Sequence, residues 1–129
     1  MNWIAFVAIG VGSALGAWLR WGLGLLLNPL FIALPLGTLA ANLLGGYLIG
    51  LAIGTFHLYT HLPAELKLFA VTGFLGGLTT FSSFSGEVVE RFLAQQYLWA
   101  FSAIALHLIG SLTMTWLGLL TLGFHKVWP

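Results

Sequence analysis

Thr79, Thr80, Ser82, Ser83 and Ser85 crowd five hydroxyls into seven residues, broken only by Phe81 and Phe84. Gly76 and Gly77 stand just ahead and lower helix propensity. In an apolar stretch this composition predicts a helix break. Backbone groups freed at bilayer depth are tolerated only when buried in protein or lining a cavity, so a break predicts a bound ion or a pore. The plainer alternative is an unbroken helix whose hydroxyls are satisfied locally. Phenylalanine rings are negative on their faces and positive at their edges. Phe81 and Phe84, three apart, project to one side of any helical portion and can present ring edges to a desolvated anion. Carbonyls released by a break would suit a hard cation with oxygen ligands.

Other polar residues recur at helical spacing. Asn42, and more loosely Thr38, continue the four-residue repeat of Gly46, Gly50 and Gly54, a small-residue stripe that lets helices approach closely in lipid. Asn42 reads either as interhelical glue or as a donor in an ion path. His107, Ser111 and Thr115 form a polar stripe along one helical face, which reads either as part of an ion path or as hydroxyls bonded to their own helix backbone. Gly12, Gly16 and Arg20 repeat the spacing, placing Arg20 either inward at a vestibule or snorkelling to the interface. Glu87 and Arg91 have the spacing of a helical ion pair. His107 has no second His or carboxylate at ligand spacing, so no metal is expected there.

These residues must be positioned by membrane spans. Of 129 residues, 60% are hydrophobic and 5% charged, with a mean hydropathy of +1.03, outside the range of a soluble domain. A span needs roughly 20 apolar residues. Four fit, at about 3–27, 36–58, 68–93 and 98–124, giving one all-α transmembrane domain over 1–129. Asn28-Pro29 and Pro35 bracket the first connection, and His61, Pro63, Glu65 and Lys67 form the second. Trp3, Tyr59, Tyr97, Trp99 and Trp128 fall near span ends, as an aromatic belt would. The first apolar run does not read as a signal peptide, because no Lys or Arg precedes it.

Cysteine is absent, which excludes disulfides and thiolate chemistry, and a formal charge of +1 offers no basic patch for nucleic acid. There is no Ser/His/Asp grouping, phosphate loop or cleft-like carboxylate pair, so an enzyme is not expected. With both termini on one side, Lys67 and Lys126 lie on that side and Arg91, with Arg20 if it reaches the interface, on the other. Orientation follows the cytoplasmic excess of Lys and Arg, and a two-against-two balance predicts insertion both ways. Transporters commonly use inverted halves; two oppositely oriented copies of this chain would supply them.

At these residues the chain resembles the Fluc (CrcB) fluoride channels over essentially its whole length. The resemblance is carried by Gly16 to Arg20 with Trp21, by Pro35-Leu36-Gly37-Thr38-Leu39 leading to Asn42, by Gly73 to Glu87 with its GGLTTFSSFS run, and by the neighbourhood of His107 to Ser111. It implies an antiparallel dual-topology homodimer in the bacterial inner membrane, with a break in the third helix, two fluoride pores and a central structural Na+. Carried over by motif, Phe81 and Phe84 resemble the pore phenylalanines and Asn42 the pore amide. Ser82, Ser83, His107, Ser111 and Thr115 resemble the polar track, and the backbone carbonyls of Gly76 and Thr79 the sodium ligands. Arg20 and Glu87 recur in the family as vestibule or structural residues. The implied function is passive fluoride export that protects against fluoride toxicity. A proton-coupled dual-topology multidrug exporter is the alternative, but it needs a membrane carboxylate, and the first two spans contain no acid. A purely structural membrane protein is the third reading. The near-balanced charges predict that one Lys added to either side shifts the orientation of the termini, measured by tag accessibility; an orientation that ignores the added charge contradicts dual insertion.

Overall fold

The computed structural model describes residues 2–123 and is all-helical over them. Helix α1 runs Trp3–Leu27, α2 Leu36–Leu58, and the fourth span is one helix, Tyr97–Thr121. The third span is composite. Its first half, α3, joins an α-helical turn Ala64–Lys67, a π-helical stretch Leu68–Leu75 and a final α turn Gly76–Leu78; its second half, α4, is Phe81–Leu93. With the fourth span labelled α5, four apolar stretches long enough to cross a membrane result: Trp3–Leu30, Leu36–Leu58, Ala64–Leu93 and Tyr97–Thr121. Large apolar side chains on their outer faces, among them Trp18, Leu26, Trp116 and Ile109, are exposed, as side chains solvated by lipid would be.

The third span begins earlier than the sequence suggests. Glu65 and Lys67, expected in the connection, occupy its first turn. Pro63 supplies the cap position, where its missing amide costs nothing, and Glu65 stands in the first turn, where negative charge meets the positive end of the helix. The Asn2 amide donates to Glu65 Oε1 at 3.2 Å, tying the start of α1 to this turn. Trp3 and Tyr97 open their helices and Tyr59 caps α2, in keeping with a belt; Phe124, Lys126 and Trp128 lie outside the described residues.

Glycine contacts hold the spans together. On α1, a Cβ at Gly16 would run into the Phe74 carbonyl oxygen and lie 2.7 Å from Leu78 N, so α1 and α3 touch backbone to backbone. On α2, a Cβ at Gly50 would strike the Thr115 carbonyl oxygen of α5. The Thr115 hydroxyl also donates to Gly46 O at 2.9 Å, adding a hydrogen bond that only such proximity allows. The small-residue stripes of α1 and α2 therefore face α3 and α5 respectively. Because the Gly50 contact is backbone, it cannot be relieved by rotating a side chain. Gly50→Leu should destabilise the fold by about 1–3 kcal/mol, read as a lower unfolding midpoint in detergent; Gly10→Ala, where nothing lies within 4 Å, should not lower it. Equal midpoints for the two variants would contradict this packing.

Candidate functional site

The third span breaks at Thr79 and Thr80, the first two residues of the hydroxyl-rich stretch. Thr79 (φ −83°, ψ 155°) and Thr80 (φ −149°, ψ 113°) are extended, while Phe81 onward is regular helix. The break thus lies at the edge of the cluster, not through it. Thr79 N–H still donates to Leu75 O at 3.0 Å, and the Thr79 hydroxyl donates to the same oxygen at 2.8 Å. Thr80 then caps α4, its Oγ1 accepting from Ser83 N–H at 3.1 Å.

The break releases backbone groups that a continuous helix would pair. In a continuous helix Thr80 N–H would go to Gly76 O, but it goes to Asn42 Oδ1 at 2.8 Å. Ser83 N–H would go to Thr79 O, but it goes to the cap. The carbonyls of Gly76 and Thr79 therefore lose the amides that a helix would give them. The carbonyl of Gly77 is taken up from another span, accepting from Arg20 Nε at 3.0 Å. Arg20, half-buried, is turned inward to the broken helix rather than only out to the interface.

Asn42 binds both sides of the Thr80 backbone. Besides accepting from Thr80 N–H, its amide donates through Nδ2 to Thr80 O at 3.0 Å, and the same nitrogen stands 3.0 Å from His107 Nδ1. Asn42 is glue between α2 and the break, and it also lies in a cavity wall. That cavity, of about 500 Å³, lies where α2, the break and α5 meet. Asn42, Gly76, Thr79, Phe81, Phe84, His107, Ser111 and Thr115 all contribute to its lining. The rings of Phe81 and Phe84 meet edge to face, 5.6 Å between centroids, and Phe84 lies 4.6 Å from the His107 ring. Phe81 is 80% exposed and Gly76 is open beside it, whereas His107 is 4% exposed.

A second cavity, about 440 Å³, gathers Arg20, Ser83 and Glu87 with Asn28, Thr38 and Thr80. Thr38 donates to Glu87 Oε2 at 2.6 Å, and Asn28 Oδ1 accepts from Gly37 N–H at 2.7 Å and Thr38 N–H at 3.3 Å. The spacing of Glu87 and Arg91 does not become an ion pair: Glu87 turns to Thr38, and Arg91 donates to Gln96 Oε1 at 2.8 Å, across the turn that ends α4. Ser82 joins neither cavity lining and is exposed, its Oγ 3.4 Å from Thr80 Oγ1. Thr80, which lines both cavities, was not singled out by spacing because nothing in a run of hydroxyls marks one as the wall between two spaces. Asn28 read as a turn marker beside Pro29; its second task is to cap α2, whose own cap residue, Pro35, has no side-chain oxygen.

The family model described as "CrcB-like protein, Camphor Resistance (CrcB)" matches residues 7–119. Among curated proteins, the chain is 65% identical over 123 residues to "Fluoride-specific ion channel FluC" of Dechloromonas aromatica, covering 95% of this chain and 91% of that protein. Proteins of the same name from Nitrosospira multiformis and Cupriavidus taiwanensis are 64% and 60% identical over 121 residues, 94% of this chain in each case and 94% and 96% of theirs. With its four apolar spans and broken third helix, the chain belongs to the CrcB/FluC family of multi-pass membrane proteins.

Proposed function

We propose that the chain is one passive, fluoride-selective channel domain that releases fluoride from the cytoplasm across the bacterial inner membrane. The observation that carries this reading is the edge-to-face pair Phe81 and Phe84 beside a broken helix in a cavity lined by few polar groups. A desolvated fluoride needs positive potential without a basic side chain that would trap it. Aromatic ring edges provide that potential. Asn42, His107, Ser111 and Thr115 form the polar track along this cavity in this proposal; Ser83 stands in the second cavity, and Ser82 would join the track only where a second copy covers its exposed hydroxyl. The hydroxyl of Thr115 donates to Gly46 O and Ser111 O, so its part is to hold α5 against α2. Arg20 and Glu87 flank the second cavity as a vestibule. The names of close relatives support fluoride as the ion.

The functional unit in this reading is an antiparallel homodimer. Phe81 and Gly76 stand open at one face of the monomer, and an inverted copy covering them would close the cavity. The released carbonyls of Gly76 and Thr79 are hard oxygen donors near that face, which fits Na+ chemistry. One chain offers two of these oxygens and a second copy would double them. A bound sodium would supply fixed positive charge that ties the broken helices together.

Reconstituted in liposomes, the protein should pass fluoride and retain chloride. Phe84→Ile should slow fluoride efflux about tenfold, the effect of raising the barrier by roughly 1.4 kcal/mol, without dissociating the dimer. Failure of the wild type to pass fluoride contradicts the channel reading, and full flux in Phe84→Ile contradicts the pore assignment. Replacing Na+ by a large organic cation throughout should lower dimer stability or flux; indifference would remove the sodium site.

A further inference from the structure

Asn42 has two amide protons and one carbonyl oxygen, and the Thr80 backbone dictates how they face. Thr80 N–H requires an acceptor, so Oδ1 stands opposite it at 2.8 Å, and Thr80 O requires a donor, so Nδ2 stands opposite that at 3.0 Å. A flipped amide would set donor against donor and oxygen against oxygen. One Nδ2 proton is thereby assigned to Thr80 O. The other points to His107 Nδ1, 3.0 Å away. A nitrogen that accepts carries no proton, so the neutral ring must hold its proton on Nε2. That nitrogen is buried and has no protein partner among the described residues. His107 is 4% exposed and packed against Phe84, so ring rotation is restricted by its surroundings.

We infer that His107 acts as a positioning residue: its unprotonated Nδ1 holds the Asn42 amide on the Thr80 backbone and so fixes the mouth of the broken helix beside Phe84. Both Asn42 protons are engaged in this arrangement. The inference builds on the fluoride-channel reading for its functional consequence, but the ring tautomer is independent of it.

Two replacements separate the ring nitrogens. His107→Asn can place an amide oxygen near the Nδ1 position and keep an acceptor for Asn42. His107→Gln reaches the Nε2 position and leaves Nδ1 vacant. Fluoride efflux from liposomes should be about tenfold or more slower in His107→Gln than in His107→Asn, a barrier difference of roughly 1.4 kcal/mol. Equal flux in the two variants, or the reverse order, overturns the inference. Nitrogen-15 spectra of the histidine-labelled wild-type protein, with His107 assigned by its absence in His107→Asn, should show Nε2 protonated and Nδ1 bare. An Nδ1–H tautomer overturns the inference whether or not the variants fold. If wild type passes no fluoride while the spectra show the Nε2–H tautomer, the channel reading fails and the hydrogen-bond assignment stands.

Discussion

A peptide group at bilayer depth has no water to turn to, and the structure around Thr79 and Thr80 follows from that constraint. Interrupting a membrane helix strands amides and carbonyls in pairs. Here each stranded group whose partner is defined finds it by a different route: Thr80 N–H by Asn42 Oδ1, Gly77 O by Arg20, and Ser83 N–H by the Thr80 hydroxyl, while Asn42 Nδ2 adds a second bond at the cap carbonyl, Thr80 O. Three spans therefore contribute to one two-residue break. Leaving a buried donor or acceptor unsatisfied costs about 1–3 kcal/mol, a cost that Asn42 Oδ1 removes at Thr80 N–H.

Those hydrogen bonds require helices closer than ordinary side chains permit. Gly16 lets α1 lie on α3 near Leu78, bringing Arg20 one turn further on to the Gly77 carbonyl. Gly46 and Gly50 bring α2 against α5, where Asn42 meets His107. Gly45 accommodates the Thr79 methyl group at the break itself. Small residues thus do more than fasten the bundle. They set the separations at which one amide can span from α2 to the break and on to α5.

Much of this was legible in the sequence because lipid makes the rules strict. Four apolar runs separated by Pro and charge marked the spans, and four-residue spacing placed Asn42 on a packed face and His107 on a polar stripe. The hydroxyl-rich stretch beside Gly76-Gly77 announced a break but not its position, since Ser82 to Ser85 are as compatible with helix as with loop once Thr80 caps it. The π-helical stretch Leu68–Leu75 had no local signal; its sequence is apolar and unremarkable, and its geometry belongs to the fit of α3 against α1. Ionic spacing misled at Glu87 and Arg91 because each found a nearer hydrogen-bond partner off its own helix face, Thr38 for one and Gln96 for the other. The bidentate grip of Asn42 on Thr80 was beyond reach, because spacing says which face a residue occupies and nothing about which atoms meet there.

Asn42 Oδ1 supplies the hydrogen bond that the broken helix lacks at Thr80 N–H. Site-resolved amide hydrogen exchange in bilayers tests it at one atom. Thr80 N–H should exchange slowly in the wild type and much faster in Asn42→Ala, while Thr79 N–H, bonded to Leu75 O, keeps its protection. Unchanged protection of Thr80 in Asn42→Ala would mean that its amide is satisfied within its own helix, and would contradict a break bridged by Asn42.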